Sequence, residues 1–166
     1  MISKFYIEQT LKELDKLYNS APSQKKAIYY SKLSLLELCG WIEQSMDNII
    51  LYYANHKLKD QSNKKYLSKQ IIGKIYGFTY DDHFRKMLIQ TLGIISLEKF
   101  EIKLERRSVI TQIKSILTNL KTKRDAAAHT HLKNVTISYD APSITFNNFA
   151  LIYALLKEIE AELKKQ

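Results

Sequence analysis

Cysteine, proline and glycine are scarce in this sequence: its 166 residues contain one Cys, two Pro and four Gly. The single cysteine, Cys39, excludes an intrachain disulfide and favours a reducing compartment. So few Pro and Gly residues favour long regular elements, helices above all. No apolar run reaches the ~18 residues that a membrane-spanning helix needs, and the N-terminal segment lacks the apolar stretch of a secretory signal. We therefore expect a cytoplasmic protein without a membrane partner.

Acidic residues are also in the minority. The 17 Asp and Glu are outnumbered by 26 Lys and Arg, which gives a net charge of +9. Such a surplus favours a polyanionic partner, with nucleic acid the first candidate. With 45% hydrophobic and 26% charged residues, the composition is typical of a folded soluble protein rather than a disordered one. The length fits one domain that spans residues 1–166.

Apolar residues recur at helical spacing along most of the chain. The clearest stripe lies on the second predicted helix, which Ser23 could cap. We predict helices over 2–17, 23–56, 64–76, 82–92 with Asp81 as its cap, 97–132 with a break near 107–108, and 147–165. The sequence thus predicts an all-α fold, an up-and-down helical bundle of five to six helices. A short irregular or hairpin excursion is expected near 135–146, where β-branched residues flank a proline turn.

The least ordinary stretch of the sequence is TKRDAAAHTHL, residues 122–132. Arg124 continues the predicted buried stripe of its helix, four residues after Leu120. A guanidinium in that position is costly unless it is paired and hydrogen-bonded. Its partner could be an internal acid, such as Glu43 on the second helix, or a phosphate that a ligand supplies.

The residues after Arg124 suggest a pairing of their own. Asp125 and His129 are i,i+4 neighbours on a regular helix, so the carboxylate could orient the imidazole and favour its charged form. The three alanines between them add no bulk and would let another backbone approach. An alternative stays open, because Arg and His near a helix C-terminus complement the helix dipole and alanine is simply a good helix former.

Four cations are predicted to form a basic ridge that leads along the same helix towards His129, namely Lys103, Arg107, Lys114 and Lys121. The ridge could be an RNA track, whose binding would weaken steeply with salt, or a solvated helix face. No spaced His, Cys, Asp or Glu ligands predict a metal site. Nor is there a Gly-rich phosphate loop or a Ser or Cys nucleophile motif. We therefore expect no metal and no cofactor.

The spacing of Arg124, Asp125, three alanines and His129 near the end of a penultimate long helix resembles the R-x4-6-H motif of the HEPN family. The stretch LSLLELCGWIEQSMDNIIL, residues 33–51, is similar to the long second helix of stand-alone bacterial HEPN domains related to the RiboL-PSP group. The resemblance implies a dimer in which two such motifs face each other across a cleft. It further implies a metal-independent endoribonuclease of a toxin–antitoxin, abortive-infection or other anti-phage defence system, in some cases with a cognate antitoxin or another defence protein as partner. Other family members have lost activity and only bind RNA, nucleotides or protein.

Two features of the motif complicate the comparison. His131 also satisfies the spacing, so the chain offers two candidate histidines, of which we favour His129. Members paired with nucleotidyltransferases carry R-x4-H-x-Y, and His131 stands where their tyrosine would be, which argues against control by transfer of AMP.

These residue types suit metal-free cleavage of RNA, in which the 2′-hydroxyl attacks the adjacent phosphate. Histidine can act as acid or base near neutral pH, and Arg124 can bind two phosphate oxygens and stabilise the charge that develops. The sequence therefore predicts a homodimeric endoribonuclease that leaves 2′,3′-cyclic phosphate ends. A catalytically inactive dimer that binds RNA or a protein partner is the alternative.

Overall fold

The computed structural model describes residues 2–129 and 139–166, and every regular element in these two ranges is helical. The α-helices are α1 Phe5–Asn19, α2 Gln24–Lys57, α3 Gln61–Tyr66, α4 Arg85–Leu92, α5 Ile94–Glu105, α6 Val109–His129 and α7 Pro142–Leu163. A π-helical turn at Leu67–Ile71 and a 3-10 turn at Ile72–Lys74 extend α3, and a π-helical turn at Tyr80–Phe84 leads into α4. The predicted all-α bundle is confirmed, although the described residues form seven α-helices rather than five to six.

Local chemistry explains where most helices start and stop. The Ser23 side chain accepts a hydrogen bond from the Lys26 backbone N–H and so caps α2 as predicted. Gly93, at φ 75°, separates α4 from α5. The predicted break in the long helical stretch lies between α5 and α6, where Ser108 has φ 56°. Asp81 does not act as the predicted cap, because the helical segment already begins at Tyr80 and the Asp81 carboxylate pairs with Lys114 instead.

The last helix begins five residues earlier than predicted, at Pro142 rather than residue 147. Pro is favoured in the first turn of a helix, where its missing N–H has no intrahelical partner to lose and its φ is already helical. Residues 142–146 are therefore helical, and the part of the predicted excursion that covered them is wrong. The remaining residues 135–138 of that excursion lie outside the described ranges, and residues 139–141 have no regular structure.

The core forms around α2, against which α1, α4, α6 and α7 pack. The predicted α2 stripe is buried from Leu35 to Ile49, with Tyr53 partly buried, and the predicted inner face of α7 is buried from Phe149 to Leu163. Cys39 is 4% exposed and belongs to this core. Each fully buried aliphatic or aromatic side chain stabilises the fold by about 1.5–3 kcal/mol. None of the helices in the described ranges is both long and apolar enough to cross a bilayer. α2 packs against α6, and the charges of Glu43 on α2 and of Arg124 and Asp125 on α6 all act on the Cys39 thiol.

Candidate functional site

Arg124 lies in the last two turns of α6, on the face that follows buried Leu120. Its side chain is 35% exposed, so it sits at the edge of the core rather than inside it. The guanidinium carbon is 5.4 Å from the centre of the Phe78 ring, a cation–π contact with a side chain that is itself 2% exposed. Phe78 thus gives the guanidinium a fixed aromatic surface to pack against.

Asp125 is the acid that pairs with Arg124. Its Oδ1 lies 3.0 Å from Arg124 Nε, although the Nε–H does not point at it and this buried nitrogen has no hydrogen-bond partner. Asp125 Oδ2 accepts a 2.8 Å hydrogen bond from Lys121 Nζ. That hydrogen bond is the main reason why the pKa of Asp125 is lowered, and the charges of Arg124, Lys121 and His129 act in the same direction. Asp125 is therefore an anion that is shared between two cations.

His129 is exposed and is the last residue of α6. Within the described part of the chain it forms no hydrogen bond or salt bridge, so the predicted contact in which Asp125 would orient the imidazole is not formed. Of the alanines that precede it, Ala127 is buried whereas Ala126 and Ala128 are exposed. His131, the second candidate, lies outside the described residues.

Glu43 supports Arg124 by a different route from the one predicted. Its Oε1 accepts a 2.7 Å hydrogen bond from the backbone N–H of Gly77, and it forms no ion pair with Arg124. Gly77 has φ +122°, a conformation open mainly to glycine. Since Phe78 follows directly, the Glu43 carboxylate anchors the segment that carries the ring beneath the guanidinium.

His83 joins this segment, and sequence reasoning missed it. Its Nδ1 accepts a 3.2 Å hydrogen bond from the Thr79 backbone N–H and lies 2.7 Å from Thr79 Oγ1. In a neutral ring the proton then sits on Nε2. The ring packs against Gly77 so closely that a Cβ there would be 2.4 Å from Nε2. Gly77, Thr79 and His83 lie close together in the stretch GFTYDDH, but their spacing matches no ligand or catalytic motif that would have identified them from the sequence.

Asp47 lies one turn beyond Glu43 on α2 and is partly buried. Burial, and secondarily the Glu43 charge, raises the pKa of Asp47 to about 6. Burial likewise raises the pKa of Cys39 to about 12, with Arg124 opposing the shift, so this thiol is no nucleophile at neutral pH. The charges that act on Cys39 come from Arg124, Asp125 and Glu43, which shows that the polar groups of α2 and α6 are neighbours.

Each of the four cations in the predicted basic ridge has a carboxylate partner in the structure. The pairs and their N–O distances are Lys103–Glu162 at 3.6 Å, Arg107–Glu158 at 2.8 Å, Lys114–Asp81 at 2.8 Å and Lys121–Asp125 at 2.8 Å. Solvated pairs of this kind are worth ~0–1 kcal/mol, so a phosphate could displace the acid. The ridge is thus largely neutralised within the chain, and its role as an RNA track stays a prediction.

Chemically, the site offers a half-exposed guanidinium, an anion beside it, an exposed imidazole one turn further on, and a carboxyl group that titrates near pH 6. In the described residues no group of three or more His, Cys, Asp or Glu side chains could hold a metal ion. The arrangement is suited to binding an oxyanion and moving protons. The chain matches no family model, and no curated protein or solved structure matches it.

Proposed function

We propose that the chain is a metal-independent endoribonuclease of the HEPN type that acts as a homodimer. Its composite cleft would contain Arg124 and a histidine, His129 in the first instance, from each of two subunits. Its setting would be a bacterial toxin–antitoxin or anti-phage defence system, in which a cognate antitoxin or another defence protein could be a further partner.

The observation that carries this proposal is the state of Arg124. Among the described residues only the adjacent Asp125 pairs with it, and its two terminal nitrogens have no hydrogen-bond partner. A guanidinium packed against Phe78 with both terminal nitrogens unused is prepared to bind two oxygens of one phosphate. An arginine that served only the fold would be expected to bind a buried acid, and Glu43, the available candidate, binds Gly77 instead.

The remaining chemistry follows from the nucleophile that RNA itself supplies. A base removes the proton of the 2′-hydroxyl, the oxygen attacks the neighbouring phosphorus, and the bond to the 5′-oxygen breaks as an acid donates a proton to it. The products carry a 2′,3′-cyclic phosphate and a 5′-hydroxyl. One His129 supplies one of the two proton transfers, and the His129 of a second copy supplies the other. The exposed Ala128, which lies on the same side of α6 as Arg124, leaves room beside the motif for that second copy.

The test is incubation of the purified protein with total RNA in the presence of EDTA, for wild type and Arg124→Ala. Arg106→Ala is the matched control, because Arg106 is an exposed arginine in the turn before α6. Light scattering on the same preparations measures the oligomeric state. We expect dimers and EDTA-resistant cleavage in wild type and Arg106→Ala, and loss of cleavage in Arg124→Ala.

Other outcomes separate the alternatives. RNA binding that depends on Arg124 but is never followed by cleavage would favour the catalytically inactive RNA-binding dimer. Cleavage that persists in Arg124→Ala, or that EDTA abolishes, would contradict the proposed mechanism.

A further inference from the structure

The positive charge that is not neutralised within the chain is concentrated away from the predicted ridge. Six lysines lie between residues 57 and 74, against one acid, Asp60. That acid is already engaged, since its Oδ1 accepts hydrogen bonds from the Ser62 and Asn63 backbone N–H groups and caps α3. None of the six forms a salt bridge with an acid in the described ranges, whereas all four ridge cations do. We call residues 57–74 the lysine segment; its lysines are Lys57, Lys59, Lys64, Lys65, Lys69 and Lys74.

A cleft of about 230 Å³ opens beside the lysine segment, between the end of α2, α3 and α4. Its lining includes Tyr53, Tyr66, Lys57, Asn63 and Gln90, and the Lys57 ammonium group lies 5.9 Å from the centre of the Tyr53 ring. Tyr66 is 61% exposed, although aromatic side chains of this size usually bury most of their surface. Neither amide has a hydrogen-bond partner among the described residues.

This combination of groups fits a nucleotide. Exposed aromatic faces stack on bases of any sequence, amide side chains offer both donors and acceptors to the polar edges of bases, and ammonium groups bind phosphate. A cavity of about 150 Å³ accommodates benzene in another protein, so this cleft has space for a nucleobase. We propose that the cleft binds a nucleotide: the base stacks on Tyr66, Asn63 and Gln90 contact its edge, and Lys57 binds the phosphate.

Geometry favours a nucleotide that belongs to a strand of RNA. Glu43, which bonds Gly77 beside the Phe78 ring under Arg124, and Lys57, which lines the cleft, both lie on α2. At 1.5 Å per residue they are about 21 Å apart along the helix axis. Because Ile50 and Ala54 of α2 are buried between them, a single strand would pass over the outer surface of the bundle to reach both places, with the lysine segment beside its phosphates. In that form the inference rests on the proposed ribonuclease function and adds to it a second binding site for the same substrate.

Binding can be measured apart from cleavage with a short fluorescent single-stranded oligonucleotide whose 2′-hydroxyls are methylated, because it lacks the nucleophile. Fluorescence anisotropy with the wild-type chain and Tyr66→Ala gives the affinities. We expect Tyr66→Ala to bind about 5- to 150-fold more weakly, the range for loss of one stacked base. Tyr6→Ala is the matched control, since Tyr6 is 78% exposed on α1, and it should bind as wild type does.

A second pair of variants tests the charges. In single-strand binding each neutralised phosphate contributes about −0.7 to the slope of log K against log salt. Lys65→Ala combined with Lys69→Ala should therefore make the slope shallower by about 1.4. The control combines Lys103→Ala with Lys121→Ala on the ridge and should change the slope less, because those two lysines are paired with acids.

Competition by AMP and UMP identifies the source of the nucleotide. If neither displaces the oligonucleotide, the cleft takes a nucleotide within a strand; if either does so in a Tyr66-dependent way, the cleft takes a free nucleotide as well. The inference is overturned if Tyr66→Ala binds the oligonucleotide as tightly as wild type does and the Lys65/Lys69 variant keeps the salt dependence of wild type. It is also overturned if the chain binds only phosphatidylserine-rich vesicles, or if only the ridge variants change the slope.

The outcomes for the two proposals remain separable. Tyr66-dependent binding without any RNA cleavage by wild type would contradict the proposed function and leave the nucleotide cleft standing. RNA cleavage by wild type together with oligonucleotide binding that does not depend on Tyr66 would support the proposed function and contradict the nucleotide cleft.

Discussion

The carboxylate of Glu43 and the backbone N–H of Gly77 are joined by a 2.7 Å hydrogen bond that links α2 to the segment before the Tyr80–Phe84 turn. Because Phe78 follows Gly77 and lies under the Arg124 guanidinium, this bond positions the arginine indirectly. Glu43 therefore acts on Arg124 indirectly. Its carboxylate holds the Gly77 backbone amide, and the adjacent Phe78 ring forms the cation–π contact with the guanidinium. Changes at residue 77 should thus affect both the fold and the site.

Gly77→Ala tests the backbone conformation that this link requires. A non-glycine residue at φ +122° costs about 1–3 kcal/mol, and the new Cβ would also meet the His83 ring. We expect the free energy of unfolding to fall by at least about 1–3 kcal/mol, measured by urea denaturation. An unchanged midpoint would show that the Gly77 turn is not under this constraint.

Gly40→Ala is the matched control for that substitution. Gly40 lies inside α2, and nothing lies within 4 Å of the position its Cβ would occupy. Because glycine costs about 1 kcal/mol relative to alanine inside a helix, Gly40→Ala should stabilise the protein by roughly that amount. If alanine lowers the free energy of unfolding at residue 77 and raises it at residue 40, the loss at residue 77 comes from backbone strain and not from the helix propensity of alanine.

Asp47→Asn tests the charge beside Glu43. The pKa of Asp47 is about 6 in the folded state and ~3.9 in an unfolded chain. Between pH 4 and pH 6 the folded state therefore binds a proton at Asp47 that the unfolded state has released. The contribution of Asp47 to stability is therefore fully present below pH 4 and is lost as the pH rises through 6. Asp47→Asn should stabilise the protein relative to wild type by about 1 kcal/mol at pH 7.5, a value reduced for solvent screening of a partly exposed group, and by little at pH 4.

The measurement is urea denaturation at both pH values, with Glu37→Gln as control because Glu37 is an exposed acid of the same helix. If Asp47→Asn raises the free energy of unfolding by the same amount at both pH values, the effect does not come from ionisation of Asp47.

Local patterns predicted the fold well and the surroundings of the site poorly. The buried faces of α2 and α7 follow from 3.6-residue periodicity, which is a property of neighbouring residues. Proline favours both turns and the first turn of a helix, so Pro142 alone does not distinguish the predicted turn from the observed start of α7. Phe78 meets Arg124 and Gly77 meets Glu43 through tertiary packing, which no spacing in the sequence encodes. The same holds for three of the four acids that pair with the ridge, Glu162, Glu158 and Asp81, whereas Asp125 pairs with Lys121 one helical turn away.

Arg124→Lys separates the shape of the guanidinium from its charge. Lysine keeps the positive charge but presents a single ammonium group that cannot bind two phosphate oxygens in a plane or stack on Phe78 in the same way. Loss of a preorganised donor to a developing charge typically lowers kcat by about 10²–10³-fold. We expect a loss of that size in single-turnover cleavage of RNA, with little change in the urea midpoint. Arg106→Lys should retain full activity, and full activity in Arg124→Lys would show that charge alone suffices.

The choice between the two candidate histidines is decided by His129→Ala and His131→Ala assayed in parallel. His129 is one helical turn after Asp125 and is exposed at the end of α6, where a proton can be exchanged with a bound substrate. Since general acid–base help is worth about 10²–10⁴-fold, His129→Ala should lower the cleavage rate by that factor while Tyr66-dependent binding of the methylated oligonucleotide is kept. His131→Ala should cleave as wild type does. If instead His131→Ala abolishes cleavage and His129→Ala does not, the working motif is R-x6-H, and Asp125 has no part in setting the charge of the catalytic imidazole.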